Sequence, residues 1–112
     1  MTSARVDSRS EERLLSGLGL AARAGRVRVG MDAVGQSIRR DEAKAIVIAG
    51  DAPEPVRKRV ERIVAQSGLS HRVVLDGDRL GHALGRPRVV VIAVTDAALG
   101  RHVLELAEDV GS

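Results

Sequence analysis

Apolar positions first fall on a helical period beyond residue 9. Leu14, Leu18, Ala21 and Ala22 share one face, while the polar, mixed-charge residues 1–9 have nothing to bury and read as a flexible lead-in. Ser8 and Glu11 fit a capping box at the start of this helix, Glu11 and Glu12 suit the positive end of its dipole, and Gly25 supplies a left-handed stop. Arg26 to Val29 alternates polar and apolar side chains as a short half-exposed strand would, and Gly30 breaks it. A second helix follows, with Met31, Val34 and Ile38 inward and Arg39 and Arg40 at its negative end. Ala45 to Ala49 is a continuous apolar run, a buried strand closed by Gly50, Asp51 and Pro53. Pro55 can open a third helix, which buries Val56, Val60, Ile63 and Val64 and stops at Gly68.

The second half repeats the alternation. Val73 to Leu75 predicts a strand, Asp76 or Asp78 caps a short helix carrying Leu80, Ala83 and Leu84, and Gly85 ends it. Val89 to Val94 is the strongest strand pattern and predicts a central position, buried on both faces. Thr95 or Asp96 caps a last helix with Leu99, Val103 and Leu106 on one side. This order predicts one α/β domain over residues 10–110, a three-layer α-β-α sandwich around a four-stranded sheet, mixed or mostly parallel. A flavodoxin-like arrangement fits the same periodicity, which leaves strand order open.

Composition narrows the chemistry. The 112 residues are 44% apolar, the size and content of one domain with a modest core. The absence of Cys excludes disulfides, zinc-thiolate sites, iron-sulfur clusters and Cys nucleophiles. No apolar run approaches the ~20 residues of a membrane-spanning helix and no signal pattern opens the chain, so a soluble cytoplasmic protein is expected. The net charge of +3 is unevenly placed, with eight Arg against four acidic groups in residues 1–40 but four Arg against six acids in residues 76–112. The lack of Phe, Tyr and Trp excludes the single-strand modes that stack bases on aromatic rings. Any recognition of nucleic acid must use phosphates, backbone amides, polar base-edge contacts and aliphatic packing.

Several motifs resolve into structure rather than chemistry. Gly17, Gly19 and Ala22 satisfy G-x-G-x-x-A, but no strand precedes them, so they read as small residues for close helix packing and no nucleotide cofactor is expected. His71, His82 and His102 fall on three separate elements without metal-ligand spacing, and no metal site is expected. Asp51 and Asp96 each follow an apolar strand, where turn and cap roles account for them. The favoured constellation is Arg26 to Gln36: Gly30 permits close approach, and the amides of Met31, Asp32 and Ala33 at a helix start offer an anion site beside Arg26 and Arg28. Solvated arginines at a strand-to-helix turn are the competing reading. A second surface is the basic loop Gly85, Arg86, Pro87 and Arg88, stiffened by its proline.

Leu18 to Gly25 (Leu-Gly-Leu-Ala-x-Arg-Ala-Gly), Val29-Gly30 before a helix, the strand ending Ala49-Gly50-Asp51-Ala52, Leu80 to Pro87, and Val91 to Asp96 occur in a specific order. Over roughly residues 12 to 104 the chain resembles the bacterial YlxQ-type branch of the L7Ae/L30e ribosomal protein family. The resemblance implies an α-β-α sandwich that binds bent RNA, typically a kink-turn, through the helix start after the first strand and the loop before the last. In members that grip kink-turns, an Asn-Glu pair at that helix start reads sheared G·A pairs, with a Lys three residues on. The matching positions here are Asp32, Ala33 and Gln36. Ala33 offers no acceptor to a guanine edge and Asp32 accepts without donating, and a lost base contact costs ~1–3 kcal/mol.

The expected function is therefore non-catalytic binding of structured RNA by a monomer, with the ribosome as a candidate partner and Arg26, Arg28, Gly30, Met31, Asp32, Ala33, Gln36, Arg86, Pro87 and Arg88 as candidate contacts. The alternative is a protein-interaction adaptor on the same fold. Some RNA-ribose methyltransferases carry a similar domain ahead of their catalytic one, and this chain ends where that would begin, so no methyl transfer is expected.

Overall fold

A computed structural model describes the backbone of residues 2–111 and the side chains of residues 9–110. The order is α1 (Thr2–Arg23), β1 (Val27–Val29), α2 (Met31–Arg39), β2 (Ala45–Ile48), α3 (Glu54–Ser67), β3 (His71–Val73), α4 (Gly77–Ala83), β4 (Val91–Val94) and α5 (Ala97–Gly111). Helix α1 starts at Thr2, so Ser8 is an interior position and not the expected cap. Glu11, the other half of that capping box, instead pairs with Arg79 of α4. The expected lead-in over residues 1–9 falls almost wholly on residues whose side chains lie outside the described ones.

The strands form one sheet in the order β1-β4-β2-β3. It is mixed, as one of the two sequence readings had it. Only β2 and β3 run parallel, and β4 is antiparallel to both of its neighbours, with Val29 opposite Ile92 and Ile48 opposite Val91. The two inner strands are buried at every position, which is why their sequences are continuous apolar runs. Their period of two divides them between two cores. Ala45, Val47, Ile92 and Val94 meet Leu14, Leu18 and Ala21 of α1, Leu80 of α4 and Val103 of α5. Ile46, Ile48, Val91 and Ala93 meet Val34 of α2 and Val60 and Val64 of α3.

The small residues of α1 serve this packing. A Cβ on Gly17 would lie 2.9 Å from Leu106 Cδ1, and one on Gly19 would lie 3.3 Å from the Ala83 carbonyl oxygen. The G-x-G-x-x-A match is thus a seam against α5 and α4. The third strand sits two residues earlier than its apolar run suggested, because Leu75 turns to φ 61° and its carbonyl accepts the Gly50 N–H at 2.8 Å. Both outer strands are three residues long, and each centres on an arginine folded onto its own backbone. Arg28 Nη1 donates to the Val27 carbonyl at 2.9 Å, and Arg72 Nη1 to that of His71 at 2.9 Å.

Candidate nucleic-acid interface

The antiparallel register of β4 decides which loops become neighbours. One residue beyond the Val29–Ile92 pair, the Gly30 N–H donates to the Val91 carbonyl at 3.1 Å. The start of α2 therefore lies beside the segment that leads into β4. Gly30 occupies the N-cap position with φ 92° and ψ 159°, a conformation essentially confined to glycine. It contributes no capping side chain, and the first intrahelical bond runs from Val34 N–H to the Gly30 carbonyl at 2.9 Å. The amides of Met31, Asp32 and Ala33 precede that bond and face the open, positive end of the helix.

An open cleft of ≈ 450 Å³ lies next to this helix start. Val27 and Val29 of β1, Ala33 of α2, Ala22 of α1 and Leu84 supply aliphatic surface, while Arg28 and Arg86 supply two guanidinium groups. Among the described residues no carboxylate lies within ion-pair distance of either arginine. Each of the two surfaces singled out in the sequence thus contributes to one cavity, the first through Arg28, Val29 and Ala33 and the second through Arg86.

The Arg86-bearing loop is held from beneath by α4. Gly85 leaves the helix at φ 72°, Arg86 N–H donates to the Gly81 carbonyl at 2.8 Å, and Val89 N–H donates to the Gly77 carbonyl at 3.0 Å. The fit over Gly81 is tight. A Cβ there would sit 2.8 Å from the Arg86 carbonyl oxygen and from Arg88 N and Cα. Asp51, in the turn after β2, ties the same region together. Its carboxylate accepts the Gly77 N–H at 2.9 Å and pairs with Arg88 Nη1 at 3.1 Å. The Gly77 amide, opposed by partial desolvation and aided by Arg88, holds its pKa below the ordinary aspartate value of 3.8.

Not every candidate contact reaches the cleft. Arg26 precedes β1, where its carbonyl accepts the Thr95 N–H at 2.8 Å, so it stands a strand's length, ~13 Å, from Gly30. Asp32 and Gln36 are exposed one turn apart on α2, Met31 is half-buried, and Pro87 is exposed in the loop. Arg88 turns to Asp51 and, at 3.7 Å, to Asp78. Leu84, Gly81 and Asp51 were missed as parts of the site; Leu84 and Gly81 carry the period of α4, and Asp51 reads locally as a turn residue. Asp96 does cap α5, its carboxylate accepting the Leu99 N–H at 2.9 Å.

A profile of the ribosomal protein L7Ae/L30e/S12e/Gadd45 family matches residues 12–102. The chain belongs to this family. The RNA-binding protein YlxQ of Bacillus subtilis (strain 168) is 32% identical over 91 residues, covering 81% of this chain and 91% of the relative. A protein of unknown function from Bacillus halodurans C superposes with a TM-score of 0.83 at 29% identity, covering 85% of this chain and 96% of that one. The Giardia lamblia 15.5kD RNA binding protein shares the fold, with a TM-score of 0.74 at 21% identity over 91% of this chain and 88% of its own. As an L7Ae/L30e-type protein the chain is a non-enzymatic binding protein, in line with the sequence reading.

Proposed function

We propose that this protein binds structured RNA at the cleft between the start of α2 and the loop before β4, as a cytoplasmic monomer with ribosomal RNA as its first candidate. The observation that carries the reading is that Arg28, Arg86 and Ala33, from the first turn of α2, line one cavity, beside a helix start whose first amides precede the first intrahelical bond. Guanidinium groups and helix-start amides bind phosphate, while Leu84, Val29 and Ala33 offer aliphatic cover to a base or sugar. Family membership and the name of the Bacillus subtilis relative support the same reading.

Asp32, Ala33 and Gln36 shape selectivity, with Met31, Gly30 and Pro87 framing them. Ala33 lies against the cleft without a polar atom on its side chain, and exposed Asp32 brings a negative charge towards any phosphate nearby. The RNA is therefore gripped more by backbone shape than by base edges, and a kink-turn is preferred over a plain duplex only modestly. Arg26 lies outside the cleft and is no part of this grip.

Titration of a labelled kink-turn stem-loop and a matched duplex across a salt series tests this. Affinity should fall steeply with salt, and Arg28→Glu or Arg86→Glu should each weaken binding to both probes and flatten the slope by about one phosphate contact. Absence of binding even at low salt would overturn the reading. So would a nuclease-resistant protein partner whose capture is indifferent to Arg28→Glu, the adaptor outcome.

A further inference from the structure

We propose that Arg88 is a positioning residue: through Asp51 it latches the loop of residues 85–90 onto α4 and so aims Arg86 into the cleft, without touching RNA itself. The inference rests on the RNA-binding reading above. Arg86 and Arg88 are two residues apart in one basic loop, yet their surroundings are opposite. Arg86 opens onto the cleft, with no carboxylate in ion-pair distance among the described residues. Arg88 has its guanidinium between two, with Nη1 3.1 Å from Asp51 Oδ2 and 3.7 Å from Asp78 Oδ1 and Nη2 3.5 Å from the Asp51 carbonyl. One positive charge set against two negative ones offers a phosphate no net attraction, and drawing Arg88 away would leave both carboxylates facing the RNA.

The geometry around this pair is that of a clasp. Asp51 Oδ1 holds the first amide of α4, Gly77, at 2.9 Å, while Oδ2 holds Arg88. Gly77 leaves the room for it, since a Cβ there would come within 3.1 Å of Arg88 Cγ and Cζ. The Gly77 carbonyl in turn accepts the Val89 N–H at 3.0 Å, and the Gly81 carbonyl accepts the Arg86 N–H at 2.8 Å. One carboxylate thereby joins the turn after β2 to the start of α4 and to Arg88, while two backbone bonds seat the loop on α4.

The test uses the full chain as wild type, Arg88→Ala, Arg88→Lys and Arg86→Ala, with two readouts. Amide hydrogen exchange should quicken about three- to fivefold at Gly77, Arg86 and Val89 in Arg88→Ala, the loss of one half-exposed ion pair, and stay unchanged at Ile46 and Ile92. Arg88→Lys, which keeps the charge but not the fork, should recover part of this. Titration of the kink-turn stem-loop should show affinity falling about three- to fivefold in Arg88→Ala with an unaltered salt slope, whereas Arg86→Ala lowers the slope by about one. A slope in Arg88→Ala that falls as in Arg86→Ala makes Arg88 a phosphate contact and overturns the proposal, as does unchanged exchange at the three amides. Should the wild type bind no RNA, the functional reading fails, while the exchange data still decide whether the latch exists.

Discussion

Replacing Gly81 with alanine probes the loop's seat most directly. The added Cβ would stand 2.8 Å from three backbone atoms of Arg86 and Arg88, where ordinary contact begins at 3.4 Å. No side chain can swing aside to relieve this, so the loop backbone itself has to lift. Overpacking of this kind costs ~1–3 kcal/mol, and trading glycine for alanine inside α4 returns up to ~1 kcal/mol of helix propensity. With the full propensity gain returned, the net loss is up to about 2 kcal/mol, a fall in Tm of up to about 9 °C for a chain of this length. The displaced segment carries Arg86, so RNA affinity should drop alongside stability. Calorimetry and RNA titration of the same preparation measure both. A variant with wild-type Tm and wild-type affinity would refute the claim that the loop rests on Gly81.

Two other substitutions separate strain from charge. Gly30→Ala meets open space but must hold φ near 92°, so it should cost ~1–3 kcal/mol by backbone strain alone; denaturant unfolding would show a lowered midpoint with an unchanged m-value. Asp51→Asn addresses pH. Because the folded-state pKa of Asp51 lies below 3.8, its stabilising contribution is complete above that value and is lost as pH falls through the folded pKa. The stability gap between wild type and Asp51→Asn should therefore be constant at neutral pH and narrow only below about pH 3.8, as followed by thermal melts across a pH series.

Much of this architecture is legible residue by residue. Val89 to Val94 announced a central strand, formed over Val91–Val94, because a segment flanked by sheet on both sides and helices on both faces has no polar position to spare. Gly25, Gly68 and the pairs Asp76/Asp78 and Thr95/Asp96, of which Asp76 and Asp96 form the caps, marked helix ends because those ends demand a left-handed turn or an acceptor side chain within a few residues. Strand direction was not legible. The apolar period of β4 is the same whichever way it runs, and its antiparallel setting is what brings Gly30, at the start of α2, beside Val91 at the start of β4. The contrast between Arg86 and Arg88 was equally hidden, since the partner that claims Arg88 lies 37 residues upstream. At Ser8 a local capping pattern was simply outrun by a longer helix.

Arg28 and Arg72 carry one more implication. Arg26 and Gly30 bond towards β4, and Ser70 and Val74 towards β2, so the alternation of an extended chain aims the Val27 and His71 carbonyls away from the sheet. These are the borders at which another copy could dock strand to strand and start an aggregate. Each border is only three residues wide, and its central guanidinium already occupies the outward acceptor. An incoming strand would have to evict a charge to reach that acceptor, which disfavours a fifth strand at either border.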